Sequence, residues 1–126
     1  NVRFVGLQKD TVKYYHQADI VLVCSRFEAF GRVTVEAMMG GCVVIGANTG
    51  GTIELIEDSK TGYLYESGNV DSLMEKIIYV LENKKIANDI AKSGQAYMLS
   101  NMTAEKNADA IYDVYRTLKP RAVKEV

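Results

Sequence analysis

Glu28 and Glu36 bracket seven residues in "FEAFGRVTVEAMMGG", with Gly31 between them and Gly40 and Gly41 after them. An ionised carboxylate only accepts hydrogen bonds, and its two oxygens can take two adjacent hydroxyls, such as the vicinal diol of a ribose or hexose. Each charge-assisted bond of this kind contributes roughly 1.5–3 kcal/mol. Gly31 stands at the start of an apolar, helix-like stretch. Unpaired N–H groups there, those of Gly31, Arg32 and Val33, can cradle an anion with the help of the helix dipole. A phosphate at a helix start with a diol on either side describes a sugar nucleotide. The plainer alternative is a loop glutamate and a helix glutamate that are both merely solvated, and the spacing alone does not choose.

The elements that must position these residues are legible as strands alternating with helices. "VRFV" (Val2 to Val5), "IVLVC" (Ile20 to Cys24), "CVVIG" (Cys42 to Gly46) and "GYLYE" (Gly62 to Glu66) read as strands. The second and third are continuously apolar, as in parallel strands covered on both faces. Helical stretches fall between them: Thr11 to Gln17, Gly31 to Met39 and Thr52 to Glu57. The alternation predicts βαβ units and an α/β, Rossmann-like parallel sheet flanked by helices. In such sheets ligands bind beyond the carboxyl ends of the strands. That rule selects the loops after Val5, Cys24, Gly46 and Glu66.

After Glu66 the pattern is helical to the end. Leu73, Ile77 and Leu81, with Val70 and Met74, predict one apolar face, started by a cap at Asn69 or Asp71. "KKIANDIAKSG" predicts a second helix stopped by Gly94. Ala104, Ala108, Ile111, Tyr115 and Leu118 predict a third, capped by Thr103 and ended by Pro120. No repeat or interdomain linker interrupts residues 1–126, which read as one incomplete domain with a frayed tail over 119–126.

Bulk properties narrow the function. With 126 residues, 48% of them hydrophobic, the chain is long enough for one real core. A net charge of −1 gives nucleic-acid binding no support. No apolar run reaches the roughly 20 residues needed to span a bilayer, and no signal segment opens the chain. Cys24 and Cys42 sit in apolar runs and read as unpaired core thiols in a reducing compartment. The expected location is cytoplasmic, with the longer protein peripheral at a membrane as a variant. His16 is the only histidine and reads as a surface or capping residue. Met38 and Met39 read as packing against the sheet. Tyr63, Tyr65, Tyr112 and Tyr115 read as packing at a half-wet surface. Lys60 opens a turn, not a phosphate loop.

The stretch from "ADIVLVCSRFEAFGRVTVEAMMGG" to "GTIELIEDSKTGYLYESGNVDSLMEKI" resembles the donor-binding half of retaining glycosyltransferases of the GT-B architecture, family 4, also called group 1. The resemblance is carried by Ala18 and Asp19, Ser25, Glu28, Phe30 and Gly31, and Glu36 to Met38. It continues through Gly41, Val44 and Ile45, Gly50, Gly51 and Glu54, and Gly62 and Leu64. It implies that Glu36 binds ribose hydroxyls and that Glu28 contacts the donor sugar near the reacting centre. It also implies that backbone N–H groups around Phe30, Gly31, Arg32 and Val33 meet sugar hydroxyls and the diphosphate. Gly6 and its loop match the nucleobase segment, and Gly50 and Gly51 are weaker donor-site candidates. Ala29 departs from a usual glycine, Arg32 from a usual aliphatic residue, and Cys24 and Val43 from frequent prolines.

The same resemblance implies a hexosyltransferase using a UDP- or GDP-hexose donor, with no cofactor and no dedicated metal. Its acceptor, a sugar, lipid or glycan, would be bound by an N-terminal domain outside this sequence. The alternative is a non-catalytic nucleotide-binding or scaffold module. In a 3-2-1-4-5-6 sheet the chain would begin at strand 3 without strands 1 and 2. The first strand is therefore expected to re-pair or be displaced, with strand exchange between two chains as one route. The isolated fragment is expected to be inactive.

Overall fold

The computed structural model describes residues 2–118. Its elements are α1 (Val12–Tyr15), β1 (Ile20–Val23), α2 (Arg32–Met39), β2 (Val43–Ala47), α3 (Thr52–Leu55), β3 (Tyr63–Tyr65), α4 (Val70–Glu82), α5 (Lys84–Asn101) and α6 (Ala104–Thr117). The strands form a parallel sheet in the order β1-β2-β3, with Ile20 opposite Val43 and Ile45 opposite Tyr63. Two consecutive βαβ units build it, as the alternation predicted.

The central strand β2 is buried along its whole length. Its period of two splits the core into two layers. Val43, Ile45 and Ala47 join Tyr63, Tyr65, Val80, Ala87, Ile90 and Ala91 on one face. Val44 joins Val23, Val35, Ala37, Met38, Leu55, Ile56 and Met98 on the other. The helix α5 contributes to both layers.

Several expectations are corrected. Val2 to Val5 form no strand; Val2 and Phe4 are almost fully exposed. An isolated apolar run has no ladder to join, and β1 remains an edge with Leu22 half exposed. Gly94 does not stop its helix, which runs on to Asn101. It is buried where a Cβ would strike the Thr61 carbonyl oxygen, so the glycine serves close approach. Cys24 is exposed while Cys42 is buried, and both thiols are free. Cys24 falls one residue past the end of β1, so it escapes the core. Tyr63 and Tyr65 are buried, because they point into the α4–α5 layer, whereas Tyr112 and Tyr115 are exposed. The buried face of α4 is Leu73, Ile77 and Val80; Val70, Met74 and Leu81 face outward. The face of α6 is exposed throughout.

Other readings hold. The Asn69 side chain accepts from the Ser72 N–H and the Thr103 hydroxyl from the Lys106 N–H, capping α4 and α6. His16 is exposed at the C-cap of α1. Met38 is fully buried. Pro120 and the tail 119–126 lie outside the described residues.

Candidate functional site

The site is built at the carboxyl end of the sheet, where β1 gives way to the loop 24–30 and then α2. Gly31 is the N-cap of α2, with φ +91°, a backbone state that side chains rarely adopt. A Cβ there would lie 2.9 Å from Leu55 Cδ1 and 3.5 Å from both Glu28 Cγ and Thr34 Oγ1. The missing side chain thus leaves the space in which the Glu28 stem and the Thr34 hydroxyl meet. No side chain caps this end of α2. Its first-turn N–H groups point past Gly31 with the positive end of the helix dipole behind them.

The loop is held from below. The Gly51 N–H donates to the Glu28 carbonyl at 2.6 Å, and the Thr49 hydroxyl to the Arg26 carbonyl at 3.3 Å. A Cβ at Gly50 would strike the Glu28 carbonyl oxygen, and one at Gly51 would lie 2.7 Å from the Ala29 oxygen. Gly50 and Gly51 therefore shape the Glu28 loop from behind it. The turn ahead of α3, of which Gly51 is the N-cap, is the same feature seen from the other side.

Glu36 lies one turn into α2 on its exposed face, as do Arg32 and Val33. Its Oε2 accepts from the Tyr15 hydroxyl at 3.2 Å and from the Thr11 hydroxyl at 3.5 Å. Burial first, and then the Glu36 carboxylate, raise the Tyr15 phenol above its ordinary range, so it stays a donor. Phe30 is half exposed beside Gly31. Gly6 stands apart from these residues, with nothing within 4 Å of the place its Cβ would occupy, in the segment ahead of α1. The fold thus brings Glu28, Phe30, Gly31, Arg32, Val33 and Glu36 to one loop–helix junction backed by Gly50 and Gly51.

Sequence reasoning missed three residues. Tyr15 and Thr11 carry no local signal, because only the seating of α1 on α2 brings them to Glu36. Thr34 is fully buried, and its Oγ1 has no hydrogen-bond partner among the described residues. A buried hydroxyl left unpaired costs about 1–3 kcal/mol, and this one faces the space beneath Gly31.

A second concavity, of about 250 Å³, opens on the other face at the same end of the sheet. Cys24, Arg26, Tyr65, Ser67 and Asn69 line it. Burial, and then the neighbouring Cys24 thiol, push the Tyr65 phenol up to about 12. Among the described residues no group of three or more His, Cys, Asp and Glu side chains is placed to hold a metal ion. No described helix is long and apolar enough to cross a membrane.

Known proteins share this fold. The family described as "Glycosyl transferases group 1" matches residues 1–97. The N-acetyl-alpha-D-glucosaminyl L-malate synthase of Bacillus anthracis is 28% identical over 114 residues, 90% of this chain and 30% of the relative. The trehalose synthase of Thermococcus litoralis is 31% identical over 110 residues, 86% of this chain and 26% of the relative. Anabaena HepE in complex with UDP superposes with a TM-score of 0.86 at 30% identity, covering 92% of this chain and 32% of HepE. HepE with UDP-glucose superposes at 0.80 and 28% identity, covering 87% and 31%. The C-terminal domain of the group 1 protein LpcC from Francisella tularensis superposes at 0.73 and 27% identity, covering 82% and 53%. The chain spans about a third or less of the length of the curated relatives it matches.

Proposed function

Because this chain belongs to the group 1 glycosyl transferases, a family of GT-B fold, we propose that it is the donor-binding part of a retaining hexosyltransferase. The observation that carries the reading is the junction itself: two carboxylates, Glu28 and Glu36, flank the uncapped, Gly31-started end of α2. In this reading Glu36 accepts the ribose hydroxyls of a nucleotide. Glu28 contacts the donor sugar next to its anomeric carbon. The N–H groups from Phe30 to Val33 take the diphosphate and sugar hydroxyls, so the anion is held by backbone rather than by a metal. Arg32, exposed at the first turn, adds positive charge on the same side. The Gly6 segment approaches the nucleobase, and Gly50 and Gly51 set the height of the Glu28 loop.

HepE, whose complexes contain UDP and UDP-glucose, supports a nucleoside diphosphate hexose as the donor class. The acceptor, a sugar, lipid or glycan, is bound by the remainder of the longer protein. Calorimetry of the full chain against UDP-, GDP- and ADP-hexoses tests the reading. One of them binds, and Glu36→Ala weakens it by about 1.5–3 kcal/mol, the worth of a charge-assisted hydrogen bond. Unchanged affinity removes Glu36 from the site. Equal affinity for the free nucleotide and its sugar form would instead mark a nucleotide-binding module without sugar recognition.

A further inference from the structure

Glu36 is an exposed carboxylate on a flexible stem, yet hydroxyls from a separate helix reach one of its oxygens. Tyr15 Oη donates to Oε2 at 3.2 Å, and Thr11 Oγ1 lies 3.5 Å from the same atom. Tyr15 is itself fixed by contacts that do not involve Glu36. The Cβ that Gly40 lacks would sit 2.7 Å from Tyr15 Cβ, so the tyrosine fills the place of a side chain at the end of α2. The Cys42 thiol donates to the Tyr15 carbonyl oxygen at 2.9 Å. Backbone and side chain of Tyr15 are thus seated on the turn from α2 into β2 before its hydroxyl meets the carboxylate.

We propose that Tyr15, assisted by Thr11, is a positioning residue for Glu36: it occupies Oε2 and turns Oε1 towards the ribose diol. The inference rests on the reading of Glu36 as the ribose acceptor. An unrestrained glutamate loses rotamer freedom when a ligand immobilises it. A tyrosine that already holds one oxygen removes part of that loss before the ligand arrives. The hydroxyl remains protonated through the neutral range, because burial and the carboxylate both raise its ionisation.

The test is calorimetry of the full chain with UDP, GDP and ADP, each beside its 2′,3′-dideoxy analogue. Glu36→Ala erases the preference for the ribose form. Tyr15→Phe reduces that preference roughly three- to tenfold, the range of one net hydrogen bond, while affinity for the dideoxy form and the melting temperature stay unchanged. Thr11→Val, at an exposed position, moves the preference in the same direction by less, and decides the matter if Tyr15→Phe does not fold. If Glu36→Ala erases the preference and both hydroxyl variants keep it, positioning by Tyr15 is overturned and the ribose reading stands. If Glu36→Ala keeps the preference, the ribose reading falls and the inference with it. Equal loss for ribose and dideoxy forms in Tyr15→Phe would reduce Tyr15 to packing and overturn the proposal.

Discussion

The backbone of Glu28 fills the space that a side chain at Gly50 would need. Gly50 also sits at φ +53°, and the next N–H, that of Gly51, is bonded to the Glu28 carbonyl. The height of the first carboxylate is therefore set by the loop after the neighbouring strand. Gly50→Ala adds both a left-handed strain and a backbone overlap. It destabilises the fold by about 1–3 kcal/mol, and donor affinity falls because Glu28 is displaced. A thermal melt and calorimetry with the sugar nucleotide check this together; a variant that keeps both properties would show that the loop does not need its glycine.

Glu28→Gln keeps the shape and removes the charge. If Glu28 acts on the donor sugar, turnover by the longer protein falls on the order of 10²-fold or more, while its affinity for the free nucleoside diphosphate stays within about twofold of wild type. Steady-state rates and calorimetry on the same preparation separate the two. Loss of nucleotide affinity in step with turnover would move Glu28 from the sugar to the nucleotide.

Gly94→Ala sets two effects against each other. Alanine is the better helix former by about 1 kcal/mol. Its methyl would strike the Thr61 carbonyl oxygen and lie 3.0 Å from Met38 Cε, and overpacking of this kind costs typically 1–3 kcal/mol. Because the closest atom belongs to backbone, the clash prevails and the urea midpoint drops. A midpoint that rises would mean that α5 can shift away from Thr61 freely.

Tyr65 makes stability depend on alkaline pH. In the unfolded chain its phenol ionises near 10; in the fold, burial and then Cys24 hold it up to about 12. Between these values the unfolded chain binds fewer protons than the folded one, so stability is whole below about pH 10 and declines as pH rises towards 12. Tyr15 and Tyr63, also raised by burial, act in the same direction. Urea melts across this range should show a shallower decline in Tyr65→Phe, and an identical decline would rule Tyr65 out as a contributor.

What the sequence shows of this molecule follows the range of each signal. β2 is legible because an unbroken β-branched run has one good home, the middle of a parallel sheet. The caps at Asn69 and Thr103 are legible because capping acts within three residues. Val2 to Val5 reads as a strand by the same apolar signal as β2, but a strand exists only where a partner ladder does. Gly94 reads as a helix stop because local rules count its missing side chain as freedom, whereas here it makes room for Thr61. The α4 face shifts from Leu81 to Val80 because a four-residue step drifts around a 3.6-residue helix and the sheet selects the residue that meets it. The Glu28–Glu36 junction was readable as a pattern. The hydroxyls of Tyr15 and Thr11 were not, since they lie 21 and 25 residues from Glu36 along the chain and meet it only through tertiary packing.

The helix α5 contributes Ala87, Ile90 and Ala91 to one core layer and Met98 to the other. Between them Gln95 Nε2 donates to the Met39 carbonyl at 2.8 Å and Gly94 abuts Thr61. Those partners stand ahead of β2 and β3, at the end of the sheet opposite the carboxylates. Neither layer can then come apart without breaking the same helix. Amide hydrogens of β2 and of the middle of α5 should exchange together, in one concerted opening and at one rate. The loop 24–30, tied down by a few loop hydrogen bonds, is free to open on its own far more often. Motion that a ligand requires at the carboxyl end can therefore occur while the opposite end stays shut.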